Sequence, residues 1–279
     1  MAGVGGRAGV AGRVLTTLAV LAGLVGLWEG YKTLAEALHL TWPFRVNDVT
    51  MPHVTDIVGQ LFEPSRRNGP LLLHVLVDAA VYTARSAFVG FLIGAVAGFA
   101  LGVAFAHSRL LERGLLPYVV ASQTVPILAI APMIVIWLKA GWFSVAVIAS
   151  YLTFFPVTIN TLRGLKSADP RAVDLMRSYA AGRWDVLWKL RVPSAMPYLF
   201  TALKVSATAS VVGAIIAEPP ASIQDGLGGA IVNFNQYYLS SPASLWATIL
   251  VAALLGIGFF GLVSAAERIV VSRAPERVA

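Results

Sequence analysis

The sequence predicts an all-α polytopic membrane protein with six transmembrane helices, and three observations carry that reading. The 279-residue chain is 57% apolar and 13% charged, with a mean hydropathy of +0.75, far from the composition of soluble domains. Four uncharged stretches, residues 86–106, 114–138, 140–162 and 243–266, reach the roughly 20 residues that a bilayer span needs. With Val14 to about Ala35 and Met196–Ala217 as weaker spans and both termini inside, the inner segments hold fourteen Lys and Arg residues against six outside, which is the cytoplasmic bias expected of a multi-pass membrane protein.

Residues 1–12, rich in Gly and Ala, read as a disordered cytoplasmic leader. Residues 13–84 hold the first span and an outer amphipathic segment. Glu29 and Lys32 mark the outer end of that span, and Trp28-Glu29-Gly30 is a poor small-residue cleavage site, which favours a retained helix over a secretory signal. Pro43, Pro52, Pro64 and Pro70 cut the outer segment into short pieces. Residues 71–83 place His74, Asp78 and Tyr82 at four-residue spacing and form either a surface helix or an extension of the second span. Residues 85–270 make the transmembrane core, and 271–279 a cytoplasmic tail.

Within the core, Gly90, Gly94, Gly98 and Gly102 recur every four residues and clear one face of the second span for close packing, as a static contact or as a sliding seam. The third span carries Gln123 and Thr124 beside Pro126, with Pro132 beyond, and the fourth carries Pro156 and Asn160. Proline frees backbone carbonyls that must bond to neighbours or to water lining a cavity. Gln123, Thr124, Pro126 and Asn160 are therefore candidates for a substrate pathway, with interhelical hydrogen bonding as the alternative. Lys204 interrupts the fifth span and either snorkels outward or faces the bundle interior. Glu218 ends that span before Pro219-Pro220, as a gate, an outer partner contact or a solvated helix-end carboxylate. An outer loop with Gly226, Gly228, Gly229 and the run Asn233–Tyr238 is expected to follow, up to Pro242.

A charged island, residues 163–193, holds seven of the twenty-one Lys and Arg residues. Asp169-Pro170 is an N-cap and first-residue pair that starts a helix, and Ala172, Leu175, Met176 and Tyr179 share one face of it. Gly182 interrupts. A second short helix from about Arg183 gathers Trp184, Leu187, Trp188 and Leu190, and Pro193 is expected to stop it. Two amphipathic helices in a loop too polar to enter lipid need another protein to cover them.

Other classes are excluded. The absence of cysteine removes disulfides and thiol chemistry. There is no G-x-x-x-x-G-K-[ST] phosphate loop and no H-E-x-x-H zinc pair, so the chain is not expected to be an enzyme or to hold a cofactor or metal. His39, His53, His74 and His107 are scattered. The net charge of +7 is spread over four inner segments and reads as topology rather than nucleic-acid binding. A secondary carrier or channel is the alternative function, but the few intramembrane charges argue against ion coupling.

The island resembles the cytoplasmic EAA loop of binding-protein-dependent ABC importer permeases, whose pattern is E-A-A, three residues, Gly, nine residues, Ile, one residue, Leu-Pro. Asp174-Leu175-Met176, Ala180, Leu190, Val192 and Pro193 fill it in register. Residues 129–137, 154–170, 191–205 and 211–218 are similar to the nitrate, sulfonate, taurine and pyrimidine-precursor branch of these importers. The resemblance implies a type I importer fold and a permease subunit that passes a small solute delivered by an extracytoplasmic binding protein. It further implies a second permease copy forming a homodimer, and two ATPase subunits that bind ATP and Mg. The two short helices become coupling helices, docking Leu175, Met176, Tyr179, Trp184 and Leu187 on the ATPase. Arg177, Arg183 and Asp185 set the register at the rim, and Gly182 replaces the flexibility lost where Ala180 stands for Gly. The neutral pathway residues point to a neutral nitrogen-containing solute such as a thiamine or pyrimidine precursor.

Overall fold

The computed structural model describes residues 10–39, 45–66 and 68–271. The leader up to residue 9, Pro43, Arg67 and the tail from residue 272 lie outside the described residues. Because apolar runs of this length can satisfy their backbone only within themselves, the described chain is helical and contains no strand. Its elements are α1 (Val10–Ala37), α2 (Val54–Gln60), α3 (Leu72–His107), α4 (Arg109–Ser122), α5 (Ile127–Leu138), α6 (Trp142–Lys166), α7 (Pro170–Ser178), α8 (Arg183–Val186), a π-helical turn (Leu187–Arg191), α9 (Val192–Ala217), α10 (Leu227–Gln236) and α11 (Pro242–Val271).

Among the described residues, four helical stretches are long and apolar enough to cross a bilayer: α3, α6, the run Arg183–Ala217, and α11. A fifth arises if α4 and α5, which meet at 100°, count as one broken span. The first expected span is α1, which is not among these; it is a 28-residue helix starting inside the expected leader, with Leu15, Leu18, Leu21 and Leu24 exposed.

One open boundary is decided and three differ from expectation. Residues 72–83 belong to α3, so the outer amphipathic stretch is an extension of the second span. Residues 114–138 are not one straight helix: Pro126 lacks an N–H and holds the chain extended ahead of α5, and the break falls at 123–126. Pro193 does not stop the second island helix. It lies in the first turn of α9, where a missing N–H is tolerated, and the π turn carries α8 into α9. Residues 227–236 form a helix rather than a loop.

The chain divides into two compact units. One comprises the residues up to Leu73 together with Phe234–Ala247, the other His74–Asn233 together with the residues from Thr248 onward. In the first unit the outer segment is tied to α1 by the charged residues that weakened α1 as a span. Glu29 accepts hydrogen bonds from the Val54 N–H at 2.6 Å and pairs with His53 Nδ1 at 2.6 Å. Lys32 is fully buried and reaches Asp48 at 2.6 Å; that hydrogen bond and charge hold the Asp48 carboxyl below the ordinary carboxylate value. Trp28 donates to the Pro52 carbonyl at 3.1 Å and meets Trp246 edge-on at 5.4 Å.

In the second unit α6 is central. The glycine stripe of α3 lies directly on it: an added Cβ would come within 2.4 Å of the Ala146 carbonyl at Gly90, 2.4 Å of the Ser150 carbonyl at Gly94, 2.7 Å of the Phe154 carbonyl at Gly98 and 2.6 Å of Thr161 Cβ at Gly102. On α9, Gly213 meets Leu152 and Ala149 in the same way. A core of Val145, Ile148, Ala149, Ala207, Val211 and Ala214 fills the space between. Arg85 covers the Trp142 ring at 4.8 Å. Lys204 does not stand alone: its ammonium pairs with Glu267 near the C-terminal end of α11.

Gly94→Ala is expected to lower the melting temperature of the purified protein by several degrees, an overpacking cost of about 1–3 kcal/mol. Gly114→Ala, with nothing within 4 Å of the added carbon, is expected to leave it unchanged. Thermal unfolding in detergent measures both.

Candidate functional site

The charged island is a capped two-helix loop with an inner and an outer face. Asp169 caps α7 by accepting the Arg171 N–H at 2.9 Å, and Pro170 occupies the first turn. The helix closes in a Schellman turn: the Ala180 N–H donates to the Arg177 carbonyl at 2.9 Å and the Ala181 N–H to the Met176 carbonyl at 3.0 Å. The left-handed residue of that turn is Ala180, with φ 56°. Gly182 has φ −67° and merely precedes α8, so the tight turn stays at position 180 and Gly182 does not replace it. Val173, Val186 and Ala168 pack with Met176, Ala181 and Leu190, binding α7 to α8. Leu187 is fully buried beside Leu165 and Ala195, fastening the loop to α6 and α9.

The outer face is apolar and uncovered. Leu175 is 58% exposed, Tyr179 79%, Trp184 67% and Trp188 56%. Leu187 is therefore not part of this surface, and Met176 is turned into the joint between the helices. Trp188, unnamed in the expected docking set although it stands four residues after Trp184, belongs to it. Trp184 also stacks on His107 at 5.8 Å. Asp174 is exposed and lies 3.4 Å from Arg177, and Asp185 pairs with Lys189 at 2.6 Å.

Gln123, Thr124 and Pro126 form the exposed break between α4 and α5. Its freed carbonyls find partners: Thr124 Oγ1 donates to the Ala121 carbonyl at 2.7 Å, and the Tyr151 hydroxyl donates to the Ser122 carbonyl. Asn160 donates to the Pro156 carbonyl of its own helix at 2.8 Å. Among the described residues, no hydrogen bond or ion pair joins Gln123, Thr124, Asn160 and Glu218 to one another.

Glu218 is neither a solvated carboxylate nor an outer contact. It is fully buried. One carboxyl oxygen accepts from Thr83 Oγ1 at 2.7 Å and the other from the Gly228 N–H at 2.6 Å, while Thr83 Oγ1 accepts the Leu227 N–H at 2.9 Å. The carboxyl thus caps the first turn of α10 and ties it to α3, at the end of a helix dipole that favours it. Gly226 is required here: a Cβ would lie 2.3 Å from the carboxyl carbon. Thr83 gave no signal in the sequence. The spacing of Glu218 from Gly226 and Gly228 was visible, but nothing in it showed that the chain turns back on itself.

Residues 90–271, well over half the chain, match the family described as binding-protein-dependent transport system inner membrane component. The chain belongs to that family. It is 31% identical over 183 residues to the formylaminopyrimidine transport permease protein ThiX of Halalkalibacterium halodurans, covering 65% of this chain and 71% of that one. A probable ABC transporter permease protein of Haemophilus influenzae is 26% identical over 245 residues, 87% of this chain and 89% of the relative. The taurine transport system permease protein TauC of Escherichia coli is 27% identical over 177 residues, 63% and 62% of the two chains. This protein is accordingly an inner-membrane permease component of an ABC importer, a class that works with ATPase and substrate-binding partners.

Two outcomes follow for the permease. Ala180→Gly is expected to raise the melting temperature, relieving a left-handed alanine at about 1 kcal/mol, while Gly182→Ala is neutral because the added carbon meets Asp185 at an ordinary 3.5 Å. Glu218→Ala leaves the Thr83 and Gly228 donors unpaired and is expected to destabilise by about 1–3 kcal/mol; Glu218→Gln, which keeps one acceptor, costs less. Thermal unfolding of the four variants measures each difference.

Proposed function

We propose that the permease acts as one of two identical membrane subunits, driven by two cytoplasmic ATPase subunits that grip residues 170–193. The observation carrying this reading is the exposed face of Leu175, Tyr179, Trp184 and Trp188 on a loop whose base is packed and capped. Large aromatic side chains of this kind supply most of the affinity where a partner buries them. Asp174, Arg183 and Asp185 at its rim give charge complementarity and register. ATP and Mg belong to the ATPase partner, and the chain itself needs no cofactor.

The transmission is mechanical. Because α8 runs through the π turn into α9 without a loop, drawing the two docked loops together moves α9 as a lever, and the packed helices change between two arrangements. In this reading the six spans are α1, α3, the broken α4–α5 pair, α6, α9 and α11. Both termini are cytoplasmic, in keeping with the excess of basic residues in the inner segments. Irregular backbone is not tolerated against lipid; the exposed break at 123–126 is therefore placed where the second copy or the aqueous pathway covers it, with Gln123 and Thr124 lining the route. The binding protein delivers solute on the opposite side. A neutral, nitrogen-containing solute of the pyrimidine-precursor kind suits these uncharged side chains better than nitrate or a sulfonate does, and the likeness to the formylaminopyrimidine permease supports it.

Reconstitution with the cognate ATPase and binding protein tests the docking face. The double variant Leu175→Glu/Trp184→Glu is expected to insert and melt as the parent does, yet to lose uptake by roughly thirty-fold or more, the effect of removing two anchor residues. Parental ATP-driven uptake by this variant would overturn the assignment.

A further inference from the structure

Behind the aromatic face, two adjoining clefts of about 530 and 290 Å³ share Ala106, Arg177 and Arg191. Arg109, Lys166 and Arg183 also line them, against the two carboxylates of Glu112 and Asp174. The carboxylates are engaged already, Glu112 by Lys166 at 2.6 Å and Asp174 by Arg177 at 3.4 Å. Arg109, Arg183 and the half-buried Arg191 have no ion-pair or hydrogen-bond partner among the described residues. The larger hollow is the anion site: its Arg109 and Arg191 are both unpaired, whereas Arg183 lines only the smaller one, and a phosphate meets two such forked donors in a two-point geometry.

The position of the hollow selects the source of that phosphate. Its floor is the last turn of α3 at Ala106 and the last turn of α6 at Leu165 and Lys166, where two apolar spans end and the headgroup layer begins. Arg109 opens α4, an amphipathic helix with no buried residue, on which Leu111, Leu115 and Tyr118 form an exposed apolar stripe. A basic pocket between span ends beside such a stripe fits a lipid: the phosphate sits among the arginines and an acyl chain lies along the leucines. We propose that this cleft binds the headgroup phosphate of an anionic phospholipid of the cytoplasmic leaflet, bracing the base of the coupling loop against the membrane. The site rests on the cytoplasmic placement of the loop proposed above, but it does not depend on which partner covers the aromatic face.

The test uses the full-length permease in detergent, titrated with short-chain phosphatidylglycerol, short-chain phosphatidylcholine or inorganic phosphate, with melting temperature as readout and native mass spectrometry to count retained lipid. Phosphatidylglycerol is expected to raise the melting temperature saturably, and the other two to leave it nearly unchanged. In Arg109→Gln/Arg191→Gln the apparent affinity for phosphatidylglycerol is expected to fall about thirty-fold, from roughly a five-fold loss per basic residue, and the retained lipid to disappear. Arg171→Gln, outside the cleft, is expected to keep the parental response to phosphatidylglycerol. Equal shifts from the two lipids would overturn the proposal, as would an undiminished phosphatidylglycerol response in the double variant. A shift reproduced by inorganic phosphate alone would assign the cleft to a soluble anion instead. Capture of the cognate ATPase in lipid-free detergent is measured in parallel. If the double variant loses the ATPase while keeping the lipid response, the arginines serve the protein partner and the lipid site is wrong; if it loses only the lipid response, the lipid site stands independently of the docking face.

Discussion

Along the seam between α3 and α6, no side chain separates the two backbones over three turns, and the position of every functional element in the second unit follows from that approach. Gly90, Gly94 and Gly98 bring α3 against the carbonyls of Ala146, Ser150 and Phe154, so α6 cannot shift without a repacking of the whole interface. Its other side is held by Gly213 and the Val145–Ile148–Val211 core. A helix fixed on two faces presents its C-terminal end as a firm seat, and on that seat Leu187 and Ala195 close over Leu165. From Arg183 onward α8, the π turn and α9 run on without an intervening loop, which is the continuity that the proposed coupling role requires.

Three charged side chains within the helical body, Glu218, Lys204 and Lys32, each tie two elements together. Glu218 joins α10 to α3 through Thr83. Lys204 pairs with Glu267 between α9 and α11. Lys32, buried at the outer end of α1, reaches Asp48 and secures the outer segment. In hydrocarbon an unpaired charge is expensive, so these pairs fix which helices are neighbours, whereas apolar contacts alone tolerate many arrangements. The unpaired Arg109 and Arg191 stand instead beside the ends of α3 and α6, where a charge is available to a ligand.

Much of this was legible in the sequence. Hydropathy found the four stretches long and apolar enough to cross a bilayer and the run that makes the bent α4–α5 pair, since a bilayer imposes length and composition directly, and the four-residue glycine period identified the α3 face because small residues at that spacing clear it for close packing. The importer pattern placed the turn at Ala180, where the left-handed residue stands. What escaped the sequence was non-local. Glu218 read as a surface residue because its partners, Thr83 and Gly228, come from elsewhere in the fold. Leu187 and Trp188 look equivalent on a short amphipathic helix, yet one is buried by Leu165 and Ala195 and the other faces out; the π turn that rotates them leaves no compositional trace. The break at 123–126 was visible as a proline, but neither its 100° angle nor the Tyr151 hydroxyl of α6 that donates to the Ser122 carbonyl was.

Since the chain contains no cysteine, single thiols report on the coupling surface without background. The most direct measurement is therefore labelling of Tyr179→Cys and Trp188→Cys by a membrane-impermeant maleimide in intact cells, in inverted vesicles, and in inverted vesicles with the cognate ATPase assembled. If the aromatic face is the cytoplasmic grip of an ATP-driven importer, both thiols stay unlabelled in intact cells, react in inverted vesicles stripped of the ATPase, and are protected when it is present. Labelling from outside the cell, or equal labelling with and without the ATPase, would contradict the account.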